Sequence, residues 1–265
     1  MVRTVANLFA VDAGFDSRNV LTMRLGAPAA FFSDSLAVTR FQDELLRRVG
    51  ALPGVTGAGL VRNLPLANPM GDWGVQVEGY TPPPNTGTPS DWQVVSPGYF
   101  EAMGLQLKQG RFLSTADDIR GPLSLVVNQR FVELYMAGRD PLGRLVRIGN
   151  APDSLRYQIV GVVGNVRHNG LTREVKAQFY ATMSQFARSQ GNTTRNFSLV
   201  VKSSSNPLPL LAPIRQIVQQ LDARIPIADV RTMDDVVKAS IAEPRFAMGL
   251  LTLFGVLALL LASVG

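Results

Sequence analysis

The last twenty residues, Phe246 to Gly265 (FAMGLLTLFGVLALLLASVG), carry no charged side chain. At a rise of ~1.5 Å per residue, a helix of that length covers the roughly 30 Å hydrocarbon core of a bilayer. Its Gly, Ser and Thr content is ordinary for a lipid-embedded helix. A buried helix of a soluble protein would show a broader polar face than Thr252 and Ser263 provide. The segment therefore reads as a membrane anchor, and because nothing hydrophilic follows it, as one cut short.

At the other end, Val5 to Val11 is apolar apart from Asn7. It is too short for a secretory leader with a cleavage site and too short to span a membrane. It reads as an amphipathic turn or the tail of an earlier membrane helix. Between the ends, the chain is long enough for a sizeable core and for two units rather than one. The net charge of +6 invites a nucleic-acid reading, but the basic residues are scattered rather than gathered into a stripe. They read as solvated surface, with weak attraction to anionic lipid. Cysteine is absent, which excludes disulfides, thiolate nucleophiles and sulfur-ligated metal sites.

The periodicities place the elements. Asn19 to Leu25 reads as a half-buried strand. A helix capped by Ser33 or Ser35 follows, with Val38, Phe41, Leu45 and Val49 on one face, and Leu52-Pro53-Gly54 stops it. Val55 to Leu64 is a second strand, completing a strand–helix–strand unit. Trp73 to Tyr80 alternates as a strand, Thr81 to Ser90 is a loop, and Asp91 to Val95 leads into a helix start at Ser96-Pro97-Gly98-Tyr99-Phe100. From Leu105 to about Gln185 the texture is β-rich: Ser124–Asn128 and Tyr157–Val163 are strands, Gln129–Met136 a short helix, and Gly138–Gly143 a turn. Phe197–Val201 resumes as a strand. A helix from about Leu210 carries Ile214, Ile217, Val218 and Leu221 on one stripe, and Ile225–Val230 is again a strand. Thr232-Met233-Asp234-Asp235 resembles a capping box with Asp in place of Glu, opening a helix toward the apolar tail.

Six stretches in order carry a resemblance: VDAGFDSRNVLTMRL, ALPGVTGAGLVRNLPL, VSPGYFEAMGLQLKQGRFLSTAD, VNQRFVELYMAGRDPLGRLVRIG, YQIVGVVGNVRHNGL and RTMDDVVKASIAEPRFAMGLLTLFGVLALLLASVG. Together they resemble the MacB-like periplasmic core domain of FtsX-like ABC transporter permeases, in particular the duplicated permeases of acidobacteria, from about Val11 to the end. The resemblance implies an α+β fold: a porter-like lobe of two strand–helix–strand units, an inserted small β-rich, Sabre-like lobe, and a C-terminal transmembrane helix. The implied division is 1–15 as linker or preceding helix tail, 16–95 and 191–243 as the halves of the porter-like lobe, 96–190 as the insert, and 244–265 as the truncated transmembrane helix. It implies an extracytoplasmic domain on the cytoplasmic (inner) membrane. This domain relays ATP-driven motion to a periplasmic adaptor or substrate, for efflux or pure mechanotransmission. The implied partners are a cytoplasmic ABC ATPase and a second permease half or homodimer partner. With three later membrane helices missing, the chain reads as a fragment of a permease.

Little in the sequence promises chemistry. There is no G-x-x-x-x-G-K-[ST], so no cradle for nucleotide phosphates. Gly161-x-x-Gly164 fails the dinucleotide spacing. His168, the single histidine, lacks companion ligands and sits before an Asn-Gly turn, so it is expected at an exposed hairpin. Asp117-Asp118 and Asp234-Asp235 are adjacent pairs whose side chains diverge, as loop acids or helix-start charges do. Ser96 and Ser124 lack a nucleophile elbow. Trp73, Trp92 and Tyr99 have no basic stripe beside them and are expected in the core. No catalytic, cofactor-binding or metal residue, and no nucleic-acid partner, is expected. The helix from Thr232 to Glu243 is expected to act as a lever, with Pro244 as its joint. The alternative is a membrane-tethered ligand-binding or enzymatic domain without a transport role.

Overall fold

The computed structural model describes residues 11–29, 32, 34–149, 155–191 and 193–241. The apolar tail 246–265, Pro244 and most of the Val5–Val11 stretch lie outside these residues. Among the described residues, no helix is long and apolar enough to cross a membrane.

Strand β1 (Val20–Gly26) leads to helix α1 (Ser35–Gly50) and strand β2 (Val55–Val61). The N-cap of α1 is Asp34, between the two serines expected to serve, and its carboxylate accepts the Ala37 N–H three residues on. An ionised cap satisfies that N–H and also meets the positive end of the helix dipole. Much later, β10 (Asn196–Ser203), α5 (Leu211–Leu221, entered through a 3₁₀ turn at Leu208–Leu210) and β11 (Ile227–Thr232) repeat the pattern. These four strands lie in the order β11-β1-β10-β2 with every neighbour antiparallel. Each strand–helix–strand unit thus straddles a strand of the other, an interlocked split β-α-β arrangement. A final helix, α6, occupies residues 233–241. Thr232 accepts the Asp235 N–H, as the box motif requires, while the Asp235 carboxylate turns back to the Thr232 hydroxyl.

Both faces of this sheet are buried. On one, Val38, Phe41, Leu45 and Val49 of α1 join Ile214 and Val218 of α5 over Leu21, Met23, Leu25, Leu199 and Val201. On the other, Val20, Val61 and Val200 meet α2 (Tyr99–Ala102) and Met233 and Val236 of α6. Helix α2 lies directly on the β2 backbone: a Cβ on Gly59 would stand 2.5 Å from the Tyr99 Cα. Only glycine permits that approach.

The remaining strands close on themselves. β3 (Asp72–Val77) pairs with β4 (Pro89–Val95) and β7 (Leu145–Ile148). β7 pairs with β8 (Arg156–Val163), β8 with β6 (Ser124–Asn128), and β6 with β9 (Gln178–Thr182). β9 returns parallel to β4 over five residue pairs, from Asp91↔Gln178 to Val95↔Thr182. The result is a six-stranded ring, with the short β5 (Leu107–Gly110) added beside β8. Closure leaves the ring strands no free edge. Alternate residues Val75 and Val77, Val146 and Ile148, Tyr157 and Ile159, Leu125 and Val127, and Phe179 and Ala181 supply its core. Helices α3 (Gln129–Tyr135) and α4 (Met183–Gln190) follow β6 and β9, capped by Asn128 and Thr182. Strands β3 and β4, placed by sequence with the first strand–helix–strand unit, pair instead within the ring. Ring and four-stranded sheet share one ladder pair, Val61↔Val95. The Arg62 N–H to Val94 carbonyl bond (2.9 Å) and the reciprocal Leu60–Ser96 contacts reinforce it.

Candidate functional site

The segment before β1 brings the described parts of both chain ends together. Gly14 turns in the left-handed region (φ +82°), and its N–H is held by the Asp12 carboxylate at 2.8 Å. A Cβ there would come within 1.9 Å of the Asn165 carbonyl oxygen. Ala13 accepts the Arg167 N–H at 3.0 Å, binding the segment to the ring just beyond β8. Three residues on, the Asp16 N–H donates to the Met103 carbonyl at the end of α2. The Asp16 carboxylate takes the Arg18 guanidinium and, at 2.9 Å, the Lys202 ammonium of β10. Those partners, Arg18 foremost, hold its carboxyl well below the usual carboxylate range. Finally the Ser17 hydroxyl donates to the Asp234 carboxylate in the first turn of α6.

Residues 12–18 thus form a strap touching the ring, the sheet and the helix that leads to the apolar tail. A groove of about 530 Å³ runs beside it, with Asp12, Asp16, Arg18, Lys108 and Arg167 among its walls. Charges of both signs line it, which suits sliding contact between polar surfaces.

Of the residues singled out by sequence, Asp234 meets the strap and Gly164 lines its groove, while the others fall elsewhere. His168 is not at an exposed hairpin: it is buried, and its Nε2 lies 2.8 Å from the Asn68 carbonyl oxygen. Burial drives its pKa down to about 4, so the ring is neutral at physiological pH. Its own carbonyl accepts the Leu66 N–H, so the histidine staples the β2–β3 connection to the ring. Asp117, expected as a loop acid, is buried and paired with both Arg111 guanidinium nitrogens at 2.7 and 2.8 Å. Burial opposes its ionisation, but Arg111 and the Ser114 N–H prevail and bring the carboxyl down to about 2. Asp118 caps the turn at Arg120 and Gly121. Ser96 accepts the Leu60 N–H, and Ser124 donates to the Pro122 carbonyl. Gly161 accommodates the Arg111 backbone, 2.0 Å from where its Cβ would be. Tyr99 is buried, as expected. Trp73 and Trp92 are half-buried in an aromatic cluster, crossing edge to face at 5.1 Å. Among the described residues, no group of three or more His, Cys, Asp or Glu could hold a metal ion.

Residues 2–217 match the family described as the MacB-like periplasmic core domain. The chain belongs to that family. Two solved structures share the fold of this MacB-like domain. One is the periplasmic region of MacB from Actinobacillus actinomycetemcomitans, at 16% identity and a TM-score of 0.56 over 88% of this chain and 97% of that one. The other is the extracellular domain of the noncanonic ABC-type transporter YknZ from Gram-positive bacteria, at 13% identity and a TM-score of 0.50 over 78% and 100%. No curated protein matches the chain.

Two features of this MacB-like domain escape a sequence reading. Asp91 in β4 is fully buried, accepts from Asn169 at 2.7 Å, and has Lys176 at 3.6 Å. Burial pushes its carboxyl up to about 6, while its neighbour Asp72 takes the close contact with Lys176 at 2.7 Å. The second is Arg62, whose guanidinium lies over the Trp92 ring, 3.7 Å from its centroid. Neither belongs to a motif: the partners are about thirty to a hundred residues apart in sequence.

Proposed function

We propose that this MacB-like domain is the extracytoplasmic relay of an ABC transporter permease on the cytoplasmic membrane. A cytoplasmic ATPase moves the membrane helices, and the domain passes that motion to a periplasmic adaptor or substrate. It does so as a homodimer or beside a second permease half. In this reading the four-stranded sheet with its helices is one mechanical unit and the ring a second, joined at Val61↔Val95 and by the strap. Its work is conformational rather than enzymatic. Asp117, Asp118, Asp234 and Asp235 each serve a named neighbour within the fold.

The observation that carries this reading is the Ser17–Asp234 bond between the strap and α6. Both described ends of the domain converge there, and the strap also grips the ring through Ala13 and Arg167. A displacement of one end against the other is thereby converted into a pull on the ring, a hinge or shear motion of known kind. The experiment is to place cysteines at 17 and 234 in the intact permease, the chain itself having none, and to join them with a short bifunctional thiol reagent. Crosslinking is expected to abolish the ATP-driven transport that the same double-cysteine variant shows before the reagent is added. Transport at the wild-type rate after complete crosslinking would overturn the relay.

A further inference from the structure

A groove of about 390 Å³ opens beside Trp92, between the end of β2 and the start of β10. Its floor is aromatic: Trp92 stacks on Phe186 of α4 at 5.0 Å and 15° between planes. Three guanidinium groups, from Arg24, Arg62 and Arg195, line it, and among the described residues no carboxylate does. The three are not equivalent. Arg24 is half exposed and already paired with Asp229 at 2.9 Å. Arg195 donates to the Phe32 carbonyl and, among the described residues, forms no ion pair. Arg62 is half-buried with its guanidinium carbon over the Trp92 ring, and among the described residues it has neither an acidic partner nor a hydrogen-bond acceptor.

A guanidinium carries five N–H donors, and withdrawing it from water without acceptors costs free energy. The ring beneath compensates one face of the cation but none of its donors, which point along the guanidinium plane. Burial accordingly makes the Arg62 cation harder to keep than an exposed one. The planar edge of a stacked arginine is the geometry that receives a carboxylate or phosphate through paired, charge-assisted bonds. Asn63, Asn68, Thr193 and Thr194 add polar groups to the walls without adding negative charge. The volume suits a small ligand or a headgroup.

We propose that this groove binds an oxyanion carried on an apolar or aromatic body, the anion on Arg62 and Arg195 and the body against Trp92 and Phe186. The inference does not depend on the relay reading, because binding is a property of the full chain without ATPase or transport. Soluble aromatic anions and lipid headgroups share this chemistry, and two probes separate them: 1-naphthyl phosphate and dioctanoyl phosphatidic acid below its micellar concentration. Titration calorimetry on the full chain at low salt is expected to show millimolar or tighter binding of at least one probe. Binding of the naphthyl ester alone assigns a soluble aromatic anion, and of the lipid alone a headgroup. Inorganic phosphate and neutral 1-naphthol are expected to bind at least ten-fold more weakly.

Arg62→Gln is expected to weaken binding about ten-fold or more, since one charge-assisted pair is worth roughly that factor. Arg62→Lys, which keeps charge but loses the planar edge, should recover only part of it. Arg195→Gln on the opposite wall reads the same anion should Arg62→Gln fail to fold. Absence of binding by both anionic probes at millimolar concentration, equal binding of 1-naphthol, or unchanged affinity in the arginine variants overturns the proposal.

Discussion

Gly50, Gly57 and Gly59 lie within ten residues of one another, yet the same added methyl group meets three different surroundings. At Gly59 the new Cβ stands 2.5 Å from the Tyr99 Cα, so the backbone of α2 must retreat. At Gly57 the nearest atom is the Ala102 Cα at 3.2 Å, where a small shift suffices. At Gly50, the last residue of α1, nothing lies within 4 Å and the backbone is not in the left-handed region. Overpacking against backbone costs about 2–3 kcal/mol, whereas Gly→Ala in an unhindered helical position stabilises by up to about 1 kcal/mol. Urea denaturation is therefore expected to order the variants Gly59→Ala well below Gly57→Ala, with Gly50→Ala at or above wild type. Equal effects at 57 and 59 would mean that α2 is not seated on β2 as described.

At the scale of elements, two buried ionisable groups tie the segment after β8 to its neighbours, His168 to the β2–β3 connection and Asp91 of β4 to Asn169, and their proton linkages oppose each other. His168 has a folded pKa of about 4 against ~6.5 when unfolded. Between those values the unfolded chain binds the extra proton, so this contribution to stability is lost as pH falls from 6.5 to 4. Asp91 has a folded pKa of about 6 against ~3.9 unfolded. Over nearly the same window the folded chain binds the extra proton, so its contribution is lost as pH rises from 4 to 6. Each shift approaches two to three pH units, on the order of 2–3 kcal/mol, so the wild-type profile is expected to be nearly flat from pH 4 to 6. Asp91→Asn, which keeps the acceptor for Asn169, should leave a profile rising with pH, and His168→Gln one falling with pH. Denaturation midpoints across that range decide the matter, and parallel profiles for the two variants would refute the assignment.

The same elements mark how far the sequence could be read. Strand β6 and the starts of β1, β8 and α3 fall at or within one residue of expectation, because period and caps are local signals. Strand β9 (QFYAT) and α4 were not legible. Gln178 and Thr182 look like loop residues, yet both are buried, and Gln178 reaches the Val166 carbonyl while Thr182 reaches that of Asp117. Strand β5 is exposed throughout and so has no apolar period to reveal it. The pairing of β4 with β9 joins residues almost ninety positions apart and leaves no trace in either segment alone. His168 was misread for a related reason: the Asn-Gly that follows does favour a turn, but the acceptor that draws the ring inward is Asn68, a hundred residues away. For the candidate sites, the strap contains no motif, and Arg62 and Trp92 are thirty residues apart, so the cleft they form exists only after folding.

For the whole molecule, ring and sheet share apolar packing, since Val95, Val126, Val163 and Tyr180 of the ring lie in one buried cluster with Val20, Val61 and Val200 of the sheet. A surface segment held to the ring by a few backbone bonds, as the strap is, opens at lower free energy than that shared core unfolds. Gly14→Val isolates the strap's share, because the substitution places a β-branched residue at positive φ and directs its Cβ into the Asn165 carbonyl. The strap's bond to the ring should break while the two clusters, to which the strap contributes only the partly buried Phe15, keep their packing. Hydrogen exchange is then expected to accelerate more than ten-fold at the amides of Arg167 and Asp16, whose acceptors are Ala13 and Met103. The amides of β1 and β6 should keep their protection, and global stability should fall by about 1 kcal/mol or less, as for a surface segment. In the intact permease the same variant is expected to keep ATP hydrolysis and lose transport, since the pull from the helix ends no longer reaches the ring. Were Arg167 and Asp16 to remain as protected as the β6 amides, the strap would be no separate clamp, and the route for motion would have to run through Val61 and Val95 instead.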